Sequence, residues 1–132
     1  MTPLTKIVIL FAVVVCLHFL ANILGIYDEQ IKSGFVWFDD VLHILVGIGF
    51  GLLWLWMVGE EKIISSNIYV AIRMMIFVFI MALTWEILEF GFFKLFTSHA
   101  NALKLYSPSI QEALTDIFSN IIGGFVVIFW KK

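Results

Sequence analysis

Four long apolar stretches dominate this 132-residue chain and constrain what it can fold into. They cover residues 5–26, 39–58, 67–93 and 111–130. A helix needs about 20 mainly apolar residues to cross the hydrocarbon core of a bilayer. Because lipid offers the backbone no hydrogen-bond partners, we expect each stretch to be helical. The sequence therefore predicts an all-α, polytopic membrane protein: one four-transmembrane-helix domain over residues 1–132.

The composition excludes the main alternatives. Hydrophobic residues make up 62% of the chain and charged residues 14%, whereas a soluble domain has roughly 45–50% and about 25%. A chain this short has too little interior to bury the excess apolar surface. We therefore exclude a soluble enzyme, a nucleic-acid-binding protein and a disordered chain, and expect the lipid bilayer as the partner. The single cysteine, Cys16, excludes a disulfide framework and a cysteine-based zinc site.

The sequence between the spans predicts how they are connected. Residues 91–106 mix lysines with aromatic residues and leucines, which favours a short interfacial segment between the third and fourth spans. Residues 27–38 are predicted to form a loop between the first two spans. Ser109 and Glu112 have the spacing of a capping box, which predicts the start of the fourth helix.

The basic residues suggest an orientation. Four spans place both termini on one side of the membrane, and five basic residues fall on that side: Lys6, Lys62, Arg73, Lys131 and Lys132. Three fall on the other side: Lys32, Lys94 and Lys104. Cytoplasmic segments carry an excess of lysine and arginine, so we expect a multi-pass protein of the cell membrane with cytoplasmic termini.

The polar residues inside the spans gather at one level. In chain order they are His18, Asn22, Asp39, Asp40, His43, Glu86, Glu89, Asp116 and Asn120. In the predicted topology each lies within about nine residues of the outer boundary, hence within roughly 14 Å at 1.5 Å per residue. Polar groups scattered only to hold helices together would not share one leaflet. The pattern therefore predicts a single polar site in the outer leaflet.

Helical spacing brings these residues onto common faces. Asp39 and His43 are four residues apart, and Gly47 continues their stripe. Asp116 and Asn120 are also four apart, and glycines follow them. Since small residues let helices approach closely, we predict that the second and fourth spans form a tight pair, with the third span completing the site.

The charges of this layer point to a bound cation. Its five carboxylates, Asp39, Asp40, Glu86, Glu89 and Asp116, have no lysine or arginine at their depth. Such a desolvated group needs either protonation or a cation. Carboxylates with imidazole suit Zn²⁺, Mn²⁺ or Fe²⁺ better than Ca²⁺. The predicted metal ligands are His43, Glu86, Glu89 and Asp116. The candidate catalytic residues are Asp39, His43 and Glu86, with Asp40, Asn120 and His18 in support.

These motifs resemble those of two families of small bacterial membrane proteins, the VanZ-like and the YjdF-like proteins. The resemblance rests on Asp39-x-x-x-His43, Glu86-x-x-Glu89 and Asp116-x-x-x-Asn120-x-x-Gly123. It covers three of the four spans. Asp40 stands where these families usually have lysine or arginine, and Glu89 is closer to the YjdF-like pattern. The VanZ-like resemblance implies a link to glycopeptide resistance and hence to the cell envelope.

Three classes of function fit these observations. The first is a metal-dependent hydrolase or transferase acting on a lipid-linked or cell-envelope substrate. The second is a proton or cation carrier. The third is a non-catalytic envelope interaction protein whose polar cluster only fixes helix packing. Because the inner halves of the first, second and fourth spans are apolar, a one-sided site is favoured over a transport path.

Overall fold

All regular secondary structure in the described part of the chain is helical. The computed structural model describes residues 1–33, 37–59, 67–102 and 109–130. Its helices are α1 Pro3–Ile23, α2 Ile26–Ser33, α3 Trp37–Val58, α4 Ile68–Leu95, α5 Thr97–Ala102 and α6 Ile110–Trp130. Four of them, α1, α3, α4 and α6, are long and apolar enough to span a membrane. The predicted all-α fold with four spans is confirmed.

The segment between the first two spans differs from the prediction. The first helix ends at Ile23 rather than at residue 26, because Gly25 takes a left-handed conformation with φ of 69°. Glycine adopts this conformation without a steric penalty. The chain then starts a second helix at Ile26, so the prediction of a loop over residues 27–38 is wrong for the residues of α2.

The predicted interfacial segment is also revised. The helix of the third span continues to Leu95, two residues beyond the predicted end at residue 93. A short helix, α5, follows directly. Residues 91–95 are therefore part of a spanning helix, and residues 103–106 of that prediction lie outside the described residues.

Local hydrogen bonds set where the long helices begin. The side chain of Asn67 accepts from the N–H of Tyr69 at 3.0 Å and caps α4. At α6, the N–H of Glu112 donates to Ser109 Oγ at 3.1 Å. The N–H of Ser109 donates in return to Glu112 Oε2 at 3.2 Å. The predicted capping box is confirmed, and it accounts for Glu112 as a helix cap.

The helices α3 and α6 form the most extensive pair in the bundle. A Cβ atom added at Gly47 would collide with the backbone carbonyl of Asn120, and one added at Gly123 would collide with the carbonyl of Ile44. The two backbones are therefore in direct contact, as the stripe of small residues predicts. Helix α3 also packs against α1 and α4, so it lies at the centre of the fold.

The bundle has an apolar end and a polar end. The apolar core lies where α3 ends and α4 begins, and consists of Trp54, Leu55, Val70, Ala71, Met74 and Val127. The buried polar side chains of the described residues are Asn22, Gln30, His43, Glu86, Asp116, Ser119 and Asn120. All of them lie toward the opposite end, where α1 and α4 end and α3 and α6 begin.

The contact between α3 and α6 predicts a sharp difference between glycines. We expect Gly123→Ala and Gly47→Ala to destabilise the protein by about 1–3 kcal/mol or more, since the added methyl group meets backbone that cannot rotate away. The measurement is unfolding in detergent micelles, followed by circular dichroism.

Gly91 provides the matched control. It lies inside α4, and a Cβ atom there meets nothing within 4 Å. Gly91→Ala should leave stability unchanged or raise it by roughly 0.5–1 kcal/mol. Equal effects at Gly91 and Gly123 would contradict the close packing of α3 and α6.

Candidate functional site

Three side chains from α3 and α6 converge at the polar end. Asp39, His43 and Asp116 each place one oxygen or nitrogen atom within 4.8 Å of the others. His43 Nε2 is 3.8 Å from Asp39 Oδ2 and 3.7 Å from Asp116 Oδ1. Both distances are too long for a direct hydrogen bond. The side chains are only 15%, 11% and 6% exposed, respectively, so this trio of ligand atoms is shielded from solvent.

Asn120 fixes the orientation of the His43 ring. Its Nδ2 lies 2.9 Å from His43 Nδ1 and donates to the backbone carbonyl of Asp116 at 2.9 Å. The amide nitrogen has two protons, so one goes to each acceptor. His43 Nδ1 is then the acceptor, and the Nε2–H of a neutral ring points between the two carboxylates. Asn120 Oδ1 is buried without a hydrogen-bond partner.

Asp40 lies beside the trio rather than in it. The hydroxyl of Ser119, itself buried, donates to Asp40 Oδ1 at 3.4 Å. Sequence reasoning missed Ser119, although its position three residues after Asp116 places it on the same face of α6. The pair ties α3 to α6 beside the trio.

The far side of Asp39 is occupied by residues of α1 and α2. The hydroxyl of Tyr27 donates to Asp39 Oδ1 at 3.1 Å and lies 3.0 Å from His18 Nδ1. His18 Nδ1 is also 3.6 Å from Asp39 Oδ1. Asn22 donates to the backbone carbonyl of His18 within α1, so its role is local. Tyr27 was missed because it was assigned to a loop; its proximity depends on the turn at Gly25.

Burial and the neighbouring Asp39 carboxylate keep the Tyr27 hydroxyl protonated. Desolvation is the larger cause, and the charge of Asp39 adds to it; together they raise the pKa of Tyr27 well above its usual value of 10.0. The phenol is therefore a hydrogen-bond donor to Asp39 throughout the physiological pH range.

The two carboxylates of α4 fall outside the trio. Glu86 is only 4% exposed, and its Oε1 has no hydrogen-bond partner. Glu89 is partly exposed. Of the four predicted ligands, the structure brings together His43 and Asp116 and adds Asp39 to them. Glu86 and Glu89 are not among the residues whose ligand atoms converge within 4.8 Å, although their helix, α4, packs against both α3 and α6.

The trio consists of donor types that transition-metal ions accept, carboxylate oxygen and imidazole nitrogen. It offers two carboxylate oxygens and one imidazole nitrogen. Among the described side chains, no lysine or arginine forms an ion pair with these carboxylates; their ion-pair contacts are to His18 and His43. Within the described side chains, the negative charge of the cluster is therefore not balanced by a lysine or arginine.

Fold and site together define a class: a small, all-helical, multi-pass membrane protein with a polar cluster at one end of its bundle. The chain belongs to the family described as "Predicted membrane protein (DUF2238)", whose model matches residues 1–132. The YjdF-like resemblance is consistent with this family, whereas the match does not show the VanZ-like one. Comparisons with curated proteins and with solved structures give no significant match.

The environment of Tyr27 predicts a loss of stability at alkaline pH. The folded protein holds the phenol proton more tightly than the unfolded chain does, so the stabilisation is complete below pH 10 and is lost progressively above it. Between about pH 10 and about pH 12, the free energy of unfolding should fall more steeply for the wild type than for Tyr27→Phe.

The pH slope, rather than the stability at one pH, is the quantity to compare, since Tyr27→Phe also removes a hydrogen bond. Tyr69→Phe is the control, because Tyr69 is 73% exposed and should leave the slope unchanged. Identical slopes for the wild type and Tyr27→Phe would contradict the assigned environment.

Proposed function

We propose that Asp39, His43 and Asp116 form a divalent-cation site at the polar end of the bundle. The observation that carries the proposal is the convergence of three ligand atoms within 4.8 Å, on side chains that are at most 15% exposed and have no lysine or arginine of the described residues paired to them. Ionisable groups inside a membrane-spanning bundle are costly and mark functional sites. A bound cation would offset that cost directly.

The spacing of the donor atoms suits a small ion. Ligands at about 2.1 Å from a tetrahedral zinc lie about 3.4 Å from one another. The separations of 3.7 and 3.8 Å from His43 Nε2 are within a few tenths of an ångström of that value. Imidazole with carboxylates favours Zn²⁺, Mn²⁺ or Fe²⁺ over Ca²⁺.

Binding through His43 Nε2 requires a change at Asn120. A ligating histidine donates its other ring N–H to an acceptor, whereas Asn120 now presents its nitrogen to His43 Nδ1. Turning the amide would present Oδ1, the atom that has no partner in the present arrangement. The proton displaced from Nε2 then resides on Nδ1.

Glu86 is the candidate for a further ligand or base. Its carboxylate is buried, its Oε1 has no partner, and it interacts electrostatically with Asp116. A bound divalent ion supplies Lewis-acid chemistry: it polarises a phosphoryl or carbonyl oxygen or activates a water molecule. In such an enzyme Asp39, His43 and Asp116 would hold the ion, and Glu86 would accept a proton. The substrate class we propose is a lipid-linked or cell-envelope compound. Glu89 would lie at the margin of the site.

A proton-binding site is the second candidate. The tautomer of His43 favours it, because the Nε2–H lies between two carboxylates that could share its proton. The buried polar side chains of the described residues all lie at one end, however, so they provide no path for protons across the described part of the bundle. This favours a one-sided site over a carrier. A site for protons alone would bind no divalent ion.

The first test is metal content and affinity of the purified protein. Elemental analysis should find a stoichiometric divalent metal, and Zn²⁺ titration of the metal-stripped protein should show one site. We expect Asp116→Asn to lower the Zn²⁺ affinity by at least about 100-fold. Losing a residue that only orients a ligand lowers metal affinity by about 10–100-fold, and losing a direct ligand should cost more.

Asp28→Asn is the matched control. Asp28 is an exposed carboxylate of α2 at the same end of the bundle and should leave Zn²⁺ affinity unchanged. Glu86→Gln compared with Glu89→Gln tests the further ligand, with the larger loss expected for Glu86. The metal proposal fails if the wild type binds no divalent ion, or if Asp116→Asn and Asp28→Asn behave alike.

We also propose that the site faces away from the cytoplasm, as the distribution of lysine and arginine favours. A green fluorescent protein fused after Lys132 should then fluoresce, and alkaline phosphatase fused at the same position should be inactive. An active phosphatase fusion would show that the termini lie outside the cytoplasm and would contradict the proposed orientation. Replacing Lys131 and Lys132 by glutamine should weaken the bias and serves as the control.

A further inference from the structure

The hydroxyl of Tyr27 is in direct contact with the proposed cation site. Tyr27 is only 5% exposed, and its oxygen lies between Asp39 Oδ1, at 3.1 Å, and His18 Nδ1, at 3.0 Å. A phenol has one proton. Because that proton is donated to Asp39, His18 Nδ1 is the donor to the phenol oxygen. A directed chain of hydrogen bonds therefore runs from His18 through Tyr27 to one oxygen of Asp39.

The two oxygens of Asp39 are consequently divided between two environments. Oδ1 accepts from Tyr27 and faces His18 on the side of α1 and α2. Oδ2 faces His43 Nε2 at 3.8 Å, and the same nitrogen lies 3.7 Å from Asp116 Oδ1. An ion between Asp39, His43 and Asp116 therefore meets Oδ2, while Oδ1 is held by a neutral donor from the other side.

Helix α2 is hydrogen-bonded to both of its neighbours along the chain. Gly25, with φ of 69°, separates it from α1, and Tyr27 is hydrogen-bonded to His18 of α1. Further along, Gln30 Oε1 accepts from the backbone N–H of Phe38 at the beginning of α3, at 3.2 Å. Tyr27 thus lies on a segment that is hydrogen-bonded to both α1 and α3, and these contacts place its hydroxyl against Asp39.

We propose that Tyr27 is a positioning residue that makes the site selective for small transition ions over Ca²⁺. The inference rests on the proposed cation site. With Oδ1 engaged by Tyr27, Asp39 binds through one oxygen only. Ca²⁺ takes 6–8 oxygen ligands and often uses both oxygens of a carboxylate, whereas Zn²⁺ is satisfied by four ligands that include imidazole. Removing the hydroxyl frees Oδ1 for two-oxygen coordination.

The test is the ratio of the dissociation constants for Zn²⁺ and Ca²⁺, measured by calorimetric titration of the metal-stripped full chain in detergent. In Tyr27→Phe we expect Zn²⁺ affinity to fall by about 10–100-fold, as for other residues that orient a ligand. Ca²⁺ affinity should stay the same or rise, so the preference for Zn²⁺ narrows. Tyr69 is an exposed tyrosine at the start of α4, at the apolar end of the bundle, so Tyr69→Phe should leave both dissociation constants unchanged.

His18→Phe is the second variant and carries the test if Tyr27→Phe loses its helical circular dichroism. It removes the donor to Tyr27 together with the 3.6 Å contact between His18 Nδ1 and Asp39 Oδ1, but it leaves the hydrogen bond from Tyr27 to Asp39 in place. We expect it to reduce the preference for Zn²⁺ over Ca²⁺ by a smaller factor than Tyr27→Phe does. An unchanged preference, or equal losses for both ions, overturns the role of Tyr27 while leaving the cation site intact. A wild-type protein that binds neither ion overturns both proposals.

Discussion

The direct backbone contact between α3 and α6 is the constraint on which the polar site depends. Gly47 lies one helical turn after His43, and Gly123 lies three residues after Asn120. When these glycines meet the facing backbones, His43 and Asn120 arrive at the same height and 2.9 Å apart. Small residues allow the approach, and the approach fixes the register. The geometry of the site is therefore a consequence of helix packing.

The two ends of the bundle differ in the polarity of their buried side chains. At one end the core is built from apolar side chains such as Leu55 and Met74, which are fully buried. At the other end buried polar groups face one another, and Glu86 and Asn120 each leave one atom without a partner. Unpaired polar atoms in a low-dielectric interior are destabilising. The apolar end supplies the packing that offsets this cost.

Some of the site follows from local rules and some does not. Spacing by four residues placed Asp39 with His43, and Asp116 with Asn120, because helical geometry alone decides which residues share a face. Whether α4 brings Glu86 into the same group depends on the rotation and tilt of that helix, which no local pattern specifies. Tyr27 was assigned to a loop for a similar reason: its contact depends on one left-handed glycine, Gly25, that redirects the chain.

Consecutive residues are enough to predict a four-span helical membrane protein with five carboxylates of its spans in one layer. Hydrophobic length and helical period are properties of consecutive residues, so they can be read without the fold. The packing of the helices is what brings Asp39 into the trio, leaves Glu86 outside it and places the Tyr27 hydroxyl against Asp39. Those outcomes depend on distances between helices far apart in sequence, which are set by how their surfaces fit together when packed.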